Sequence, residues 1–134
     1  RRVLFRSKVE IESNVLIIDC IGLLSSLYRY GNIAYVGGGF SAGIHNTLEA
    51  AVYGIPVIFG PNYKKFDEAK VLINLSGGIS VANAQEGIQI LNSLVKDENK
   101  RMEMGKNAGA MVNDNTGACN KILNYIEEKR LLTN

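Results

Sequence analysis

Apolar residues along this chain fall into two rhythms: short unbroken runs, and stripes that return every three or four positions. Val15 to Asp19 (VLIID), Ile33 to Val36 (IAYV) and Val57 to Phe59 (VIF) are unbroken runs, the form taken by strands buried on both faces of a parallel sheet. The first ends in Asp19, which places an acid at a strand's carboxyl end, where α/β ligands bind. Pro56 opens the third, Gly60 and Pro61 close it, and a brief fourth strand is expected over Ile79 to Val81. Helices are predicted between the runs: Leu23 to Tyr30, ended by Gly31 and Asn32; Asn46 to Tyr53, stopped by Gly54; and a stretch with Phe66, Ala69 and Ile73 at helical spacing, ending before Gly77. Ala84, Ile88, Leu91 and Val95 follow at i, i+4, i+7 and i+11. Asp97 is placed to cap the next helix, with Met102, Ala108 and Val112, and Thr116 to open a last one with Ile122 and Ile126 on its apolar side. Strands alternating with helices define an α/β fold with an open, mostly parallel sheet, whose ligand crevice lies outside the carboxyl ends of the strands.

With 134 residues, 46% of them hydrophobic and 21% charged, the chain is one domain with enough apolar surface for a real core. Residues 1–14 are read as a lead-in without a clear element, and residues 15–134 as part of a ligand-binding domain. The opening RRVLFRS has no initiator methionine, so the chain reads as a piece of a longer protein whose first residues need not belong to the fold. The net charge of +2 comes largely from the ends, Arg1, Arg2, Arg6 and Lys8 at one and Lys129 and Arg130 at the other. No basic stripe marks a nucleic-acid surface. Cys20 and Cys119 lie far apart, without a CxxC or a histidine companion, and are read as buried small hydrophobes rather than metal ligands or a redox pair. No apolar run approaches the ~18 residues that would span a bilayer, and no signal peptide is recognisable, so the segment itself is expected to be soluble and cytosolic.

The chemistry is concentrated in VGGGFSAGIHNTLEAAVYGIPVIFG, Val36 to Gly60. Gly37, Gly38 and Gly39 remove the side chains that would hold a ligand away from the backbone, and a helix starting just beyond them turns N–H groups and a positive dipole end toward an anion. Glu49, about one turn into that helix, is within reach of a neighbouring sugar hydroxyl. The same Asn46-x-x-Glu49 spacing also approximates a capping box, in which both side chains do no more than satisfy orphan N–H groups. His45 has two readings as well, a donor to a phosphate or a structural neighbour of the cap.

Gly60 to Glu68 (GPNYKKFDE) forms a second loop on the same rim. Lys64 and Lys65 offer charge to a phosphate or carboxylate, or are simply solvated. Glu68 touches a sugar, or stabilises a helix start through the dipole. Gly77 and Gly78 are read as a turn.

From Asp19 to Ala69 the order of motifs, D-x-I-G, then G-G-G, H-N-x-x-E and F-G-P, resembles the carboxyl-terminal domain of the 3-deoxy-D-manno-octulosonic acid (Kdo) transferases, over about Val15 to Glu128. The resemblance implies a GT-B glycosyltransferase, two Rossmann-like domains facing across a cleft, of which this would be part of the donor-binding one. It implies CMP-Kdo as donor, a lipid A precursor as acceptor, an inverting transfer in lipopolysaccharide biosynthesis, and no cofactor or metal. By the same resemblance Gly37, Gly38, Gly39, His45 and Asn46 surround the CMP phosphate, Glu49 holds the ribose, and Gly60, Pro61, Lys65 and Glu68 support the donor. The catalytic base, the acceptor surface and any membrane contact belong to an amino-terminal domain outside this sequence, at the cytoplasmic face of the inner membrane, so the fragment alone is expected to be inactive. Two departures stand out: Asn62 replaces a histidine of the family's G-P-H-x-x-N-F and Lys65 its asparagine, while Ile44 stands where a glycine precedes H-N. A UDP-sugar enzyme, a sugar-nucleotide epimerase and a noncatalytic nucleotide-binding module are the alternatives.

Overall fold

A computed structural model describes residues 2–4 and 14–131, in the order β1 (Arg2–Leu4), β2 (Val15–Ile17), α1 (Leu24–Leu27), β3 (Ala34–Val36), α2 (Leu48–Ala51), β4 (Val57–Phe59), α3 (Asp67–Asn74), β5 (Gly78–Ser80), α4 (Ala84–Lys96), α5 (Glu98–Asp114) and α6 (Ala118–Glu128). A 3-10 turn, Tyr28–Tyr30, follows α1 directly. The main sheet is parallel, ordered β3-β4-β5, with Ala34 opposite Val57 and Val57 opposite Gly78. β4 lies in the middle, which explains why its apolar run is unbroken: both faces are covered, and Val57, Ile58 and Phe59 are all buried. On one face Ala34, Val36, Val57 and Phe59 meet Ala51 of α2, Leu72 of α3 and Ala108 and Met111 of α5. On the other, Ile58 meets Val81, Leu94 of α4 and Met104 of α5.

The long α5 can lie close because its contact positions are small. A methyl group on Gly105 would collide with the Gly54 carbonyl, and one on Gly77 would stand 2.7 Å from the Ala108 nitrogen. Gly54 itself turns the chain at φ +66°, where a side chain is strained.

The structure corrects several expectations. Val15–Ile17 does form a strand, but it pairs in parallel with Arg2–Leu4 in a separate two-stranded sheet, and Val15 and Leu16 are about half exposed (51% and 53%) rather than buried on both faces. The first residues therefore contain a strand; residues 5–13 lie outside the described residues. Ala84, Ile88, Leu91 and Val95 are indeed on one helix, yet all four are exposed, and α4 packs instead through Leu94 with help from Ile90. Cys119 is exposed and Cys20 half-buried, because α6 has no buried residue and Cys20 lies in the turn after β2. Thr116 does not open α6; its hydroxyl donates to the Asn113 carbonyl (2.7 Å) at the end of α5, and the chain turns at Gly117 with φ +89°. Ile122 stays exposed, and only Ile126 of the expected stripe is half-buried.

Candidate functional site

β3 delivers the chain to the glycine loop at the carboxyl end of the main sheet, and the loop closes on itself at once. The Gly38 carbonyl accepts the N–H groups of Ser41 (2.9 Å) and Gly43 (3.3 Å), and the Gly37 carbonyl accepts that of His45 (3.0 Å). Gly38 is at φ +88° and a side chain there would strike the Gly43 carbonyl, while a methyl group on Gly39 would sit 2.6 Å from the Cα and N of Gly60. Two of the three consecutive glycines are thus required by the fold itself, before any ligand is considered. Gly37 is different: a methyl group there meets nothing closer than the His45 ring, at 3.7 Å. The exposed His45 imidazole therefore lies beside Gly37 and Gly38.

The helix beyond the loop is much shorter than its sequence pattern predicts, four residues instead of eight. So short a helix has little dipole to offer, and its first N–H, that of Leu48, is taken by Asn46 Oδ1 (3.0 Å). The Asn46 amide in turn donates to Glu49 Oε1 (3.1 Å). This is not a capping box, since Glu49 reaches the side chain of Asn46 and not its backbone N–H. A cap on backbone N–H groups forms at the second Asn-x-x-Glu of the chain: Asn83 Oδ1 accepts from Glu86 N–H (3.0 Å), and Glu86 Oε2 accepts from the N–H of Ala82 (2.7 Å), the residue before the cap, at the start of α4. Glu49 is consequently held in place by one oxygen, and the other has no hydrogen-bond partner among the described residues. Tyr28, 21 residues earlier with no local signal connecting them, comes close enough that the Glu49 carboxylate adds to burial, the larger cause, in raising the phenol's pKa. Thr47, between Asn46 and α2, is fully buried, and its hydroxyl has no hydrogen-bond partner among the described residues.

The second loop is fastened to the first. Asn62 N–H donates to the Gly39 carbonyl (2.9 Å) and its side-chain amide to the Ser41 carbonyl (2.8 Å). The Phe66 ring lies over Gly43, and Ser80 of β5 donates to the Gly60 carbonyl (3.3 Å). Between the loops opens a cavity of about 530 Å³ lined by Ser41, Ala42, Pro61, Asn62, Lys64 and Lys65. Glu68 is not among those residues. It lines another groove, about 380 Å³, with Leu48, Val71 and Met111. Asp67 pairs with Lys70 (2.7 Å), and the hydrogen bond to that ammonium is the main reason its carboxyl pKa lies below the usual range.

Comparison with known proteins identifies the family of the chain as a whole. A 3-deoxy-D-manno-octulosonic acid transferase from Aquifex aeolicus is 40% identical over 100 residues, 72% of this chain and 28% of the relative. Transferases of the same name from Rickettsia typhi (29% identical, 87% of this chain and 26% of the relative) and Chlamydia trachomatis (36% identical, 69% and 23%) match as well. The chain belongs to the Kdo transferase family. It spans about a quarter of the length of the curated relatives it matches. No protein-family model matches the chain. Among solved structures, the C-terminal CMP-Kdo binding domain of WaaA from Acinetobacter baumannii superposes with a TM-score of 0.75 at 21% identity, over 83% of this chain and 60% of that one, which shows the fold.

Against the Kdo transferase pattern, the loops explain how the departures at Asn62 and Lys65 are accommodated. Asn62 is the staple between the two loops, and Lys65 projects at the rim, exposed, into the space between them. Among the described residues no group of three or more His, Cys, Asp or Glu side chains is placed to hold a metal ion, and no helix is long and apolar enough to cross a membrane.

Proposed function

We propose that this chain is the donor-binding part of a Kdo transferase, holding CMP-Kdo while Kdo is passed to a lipid A precursor in lipopolysaccharide biosynthesis. The observation that carries this reading is the state of Glu49: a carboxylate at the rim of the sheet's carboxyl end, fixed through one oxygen by Asn46 and left with the other to accept from a ribose hydroxyl. A carboxylate with nothing but a capping role would be bonded to backbone N–H, as Glu86 is. The phosphate then lies beside Gly37, where a backbone approach is open, with the exposed His45 ring next to it. Fixed donors at this point also stabilise the charge that grows on the departing CMP.

In the whole protein the reaction is an inverting glycosyl transfer at the cytoplasmic face of the inner membrane, with the base carboxylate and the acceptor surface supplied by an amino-terminal domain. The 134-residue chain accordingly binds the donor and does not turn it over. Glu49→Gln should raise the Kd for CMP about tenfold, the worth of a hydrogen bond to a charged group, with no change in melting temperature. Unaltered CMP binding in that variant would return Glu49 to a scaffold role. Saturable binding of UDP in preference to CMP would move the chain to a UDP-sugar enzyme, and turnover of CMP-Kdo onto lipid A precursor by this chain alone would refute the division of labour.

A further inference from the structure

The cavity between the two loops contains a cationic pair that the nucleotide reading leaves unused. Lys64 and Lys65 both line it, and among the described residues neither ammonium has a hydrogen-bond or ion-pair partner. The nearest acid in sequence, Asp67, is committed to Lys70 at 2.7 Å. The walls are not loose surface: Gly39 against Gly60, the two Asn62 hydrogen bonds and the Phe66 ring over Gly43 fix the spacing of the loops. Two like charges held on one rim without a counter-charge repel each other, and an anion in the cleft relieves that repulsion.

His45, Asn46 and Glu49 do not line this cavity, and it opens at Ser41 and Ala42, the far end of the glycine loop from Gly37. The site therefore has two separate places for negative charge. A donor built on a 2-ulosonic acid has two as well, because its carboxylate and its glycosidic oxygen are attached to the same carbon. A phosphate beside Gly37 leaves the carboxylate to a second anion site, and the cavity that the two lysines line is such a site on the same pair of loops. The geometry points to the cleft between Ser41, Asn62 and Lys65 as the pocket for the carboxylate of an acidic donor sugar, with Lys64 and Lys65 setting the preference for acidic over neutral sugars. This rests on the donor-site reading above.

The test compares the Kd of CMP with that of freshly prepared CMP-Kdo for the wild-type chain, for Lys64→Met/Lys65→Met, and for Lys64→Arg/Lys65→Arg. Both lysines are exposed, and melting curves check that the variants fold as the parent does. The wild type binds CMP-Kdo more tightly than CMP; the Met variant loses about two- to thirtyfold in affinity for CMP-Kdo and nothing for CMP, as expected for two exposed charge pairs, and the Arg variant keeps the preference. Equal losses for the two ligands would assign the lysines to the phosphate and overturn the proposal, as would no loss for either. If the wild type binds neither ligand, the donor-site reading falls and takes this pocket with it; if it binds CMP normally while CMP-Kdo is insensitive to the lysines, this pocket alone falls.

Discussion

Gly39 and Gly60 meet backbone to backbone: a methyl group on Gly39 would stand 2.6 Å from the Cα and N of Gly60, and one on Gly60 2.6 Å from the Gly39 carbonyl carbon. The contact joins the loop after β3 to the loop after β4, and the hydrogen bond from Asn62 N–H to the Gly39 carbonyl runs beside it. Neighbouring parallel strands bring their following loops together at the carboxyl edge, and here the absence of two side chains lets those loops touch.

That contact separates the glycines by role. Gly39→Ala and Gly60→Ala are each expected to destabilise the chain by about 1–3 kcal/mol through overpacking. Gly37→Ala, with nothing nearer than 3.7 Å, should stay within about 0.5 kcal/mol of wild type while weakening CMP binding. Denaturant unfolding measures the first quantity and titration with CMP the second; a Gly39→Ala variant of native stability would mean that the loops are not clamped.

The two Asn-x-x-Glu sequences should respond differently to the same substitution. Asn83→Ala removes a true cap and costs about 1 kcal/mol, with CMP affinity untouched. Asn46→Ala leaves an exposed N–H to water, so its stability cost is small, but it releases Glu49 and lowers CMP affinity. Equal stability losses with equal CMP affinities would show that both sites are caps.

Leu94 and Leu91 lie on the same helix, one fully buried and the other 44% exposed. Leu94→Ala should cost about 2–5 kcal/mol, the range for a buried leucine with a residual cavity. Leu91→Ala should stay within about 0.5 kcal/mol. Comparable losses at the two positions, read from unfolding midpoints, would place the expected stripe in the core after all.

Tyr28 gives the chain an alkaline weakness. Its folded pKa is raised above 10.0 by burial first and by the Glu49 carboxylate second. Below pH 10 the phenol is neutral in both states and contributes nothing; as pH rises past the unfolded value toward the folded one, the unfolded chain loses its proton more readily and stability falls. Glu49→Gln should lower the Tyr28 pKa part of the way back, leaving the share due to burial. Tyrosine ring NMR across this range follows it, and a titration unmoved by the substitution would show that the two side chains do not interact.

Much of the fold was legible because its central strand is buried on both faces and its neighbours are punctuated by glycine and proline. Val57–Phe59 could be read directly for this reason, as could the approach from Ala34–Val36 to Gly37. Val15–Ile17 looked the same in sequence and is half exposed, since an apolar run records a tendency to be covered and not what covers it. Ile88, Leu91 and Val95 were misleading in the same way: helical spacing fixes which residues share a face, while the sheet selected the face carrying Leu94.

The sequence alone determined the alternation of strand and helix, the loop of three glycines at a strand's end, and the family to which both belong, because each depends on residues adjacent in the chain. Only the tertiary structure decided that Gly38 and Gly39 serve the packing of loops, that Glu49 is held by a side chain and left half free, and that Lys64 and Lys65 face Ser41 and Ala42 across a cavity. The Gly39 contact and the cavity depend on loops 20 or so residues apart being brought together by the parallel pairing of β3 with β4, a distance that no local pattern encodes; the Gly38 and Glu49 contacts are local, but the Asn46-x-x-Glu49 spacing fits a backbone cap and a side-chain bond alike.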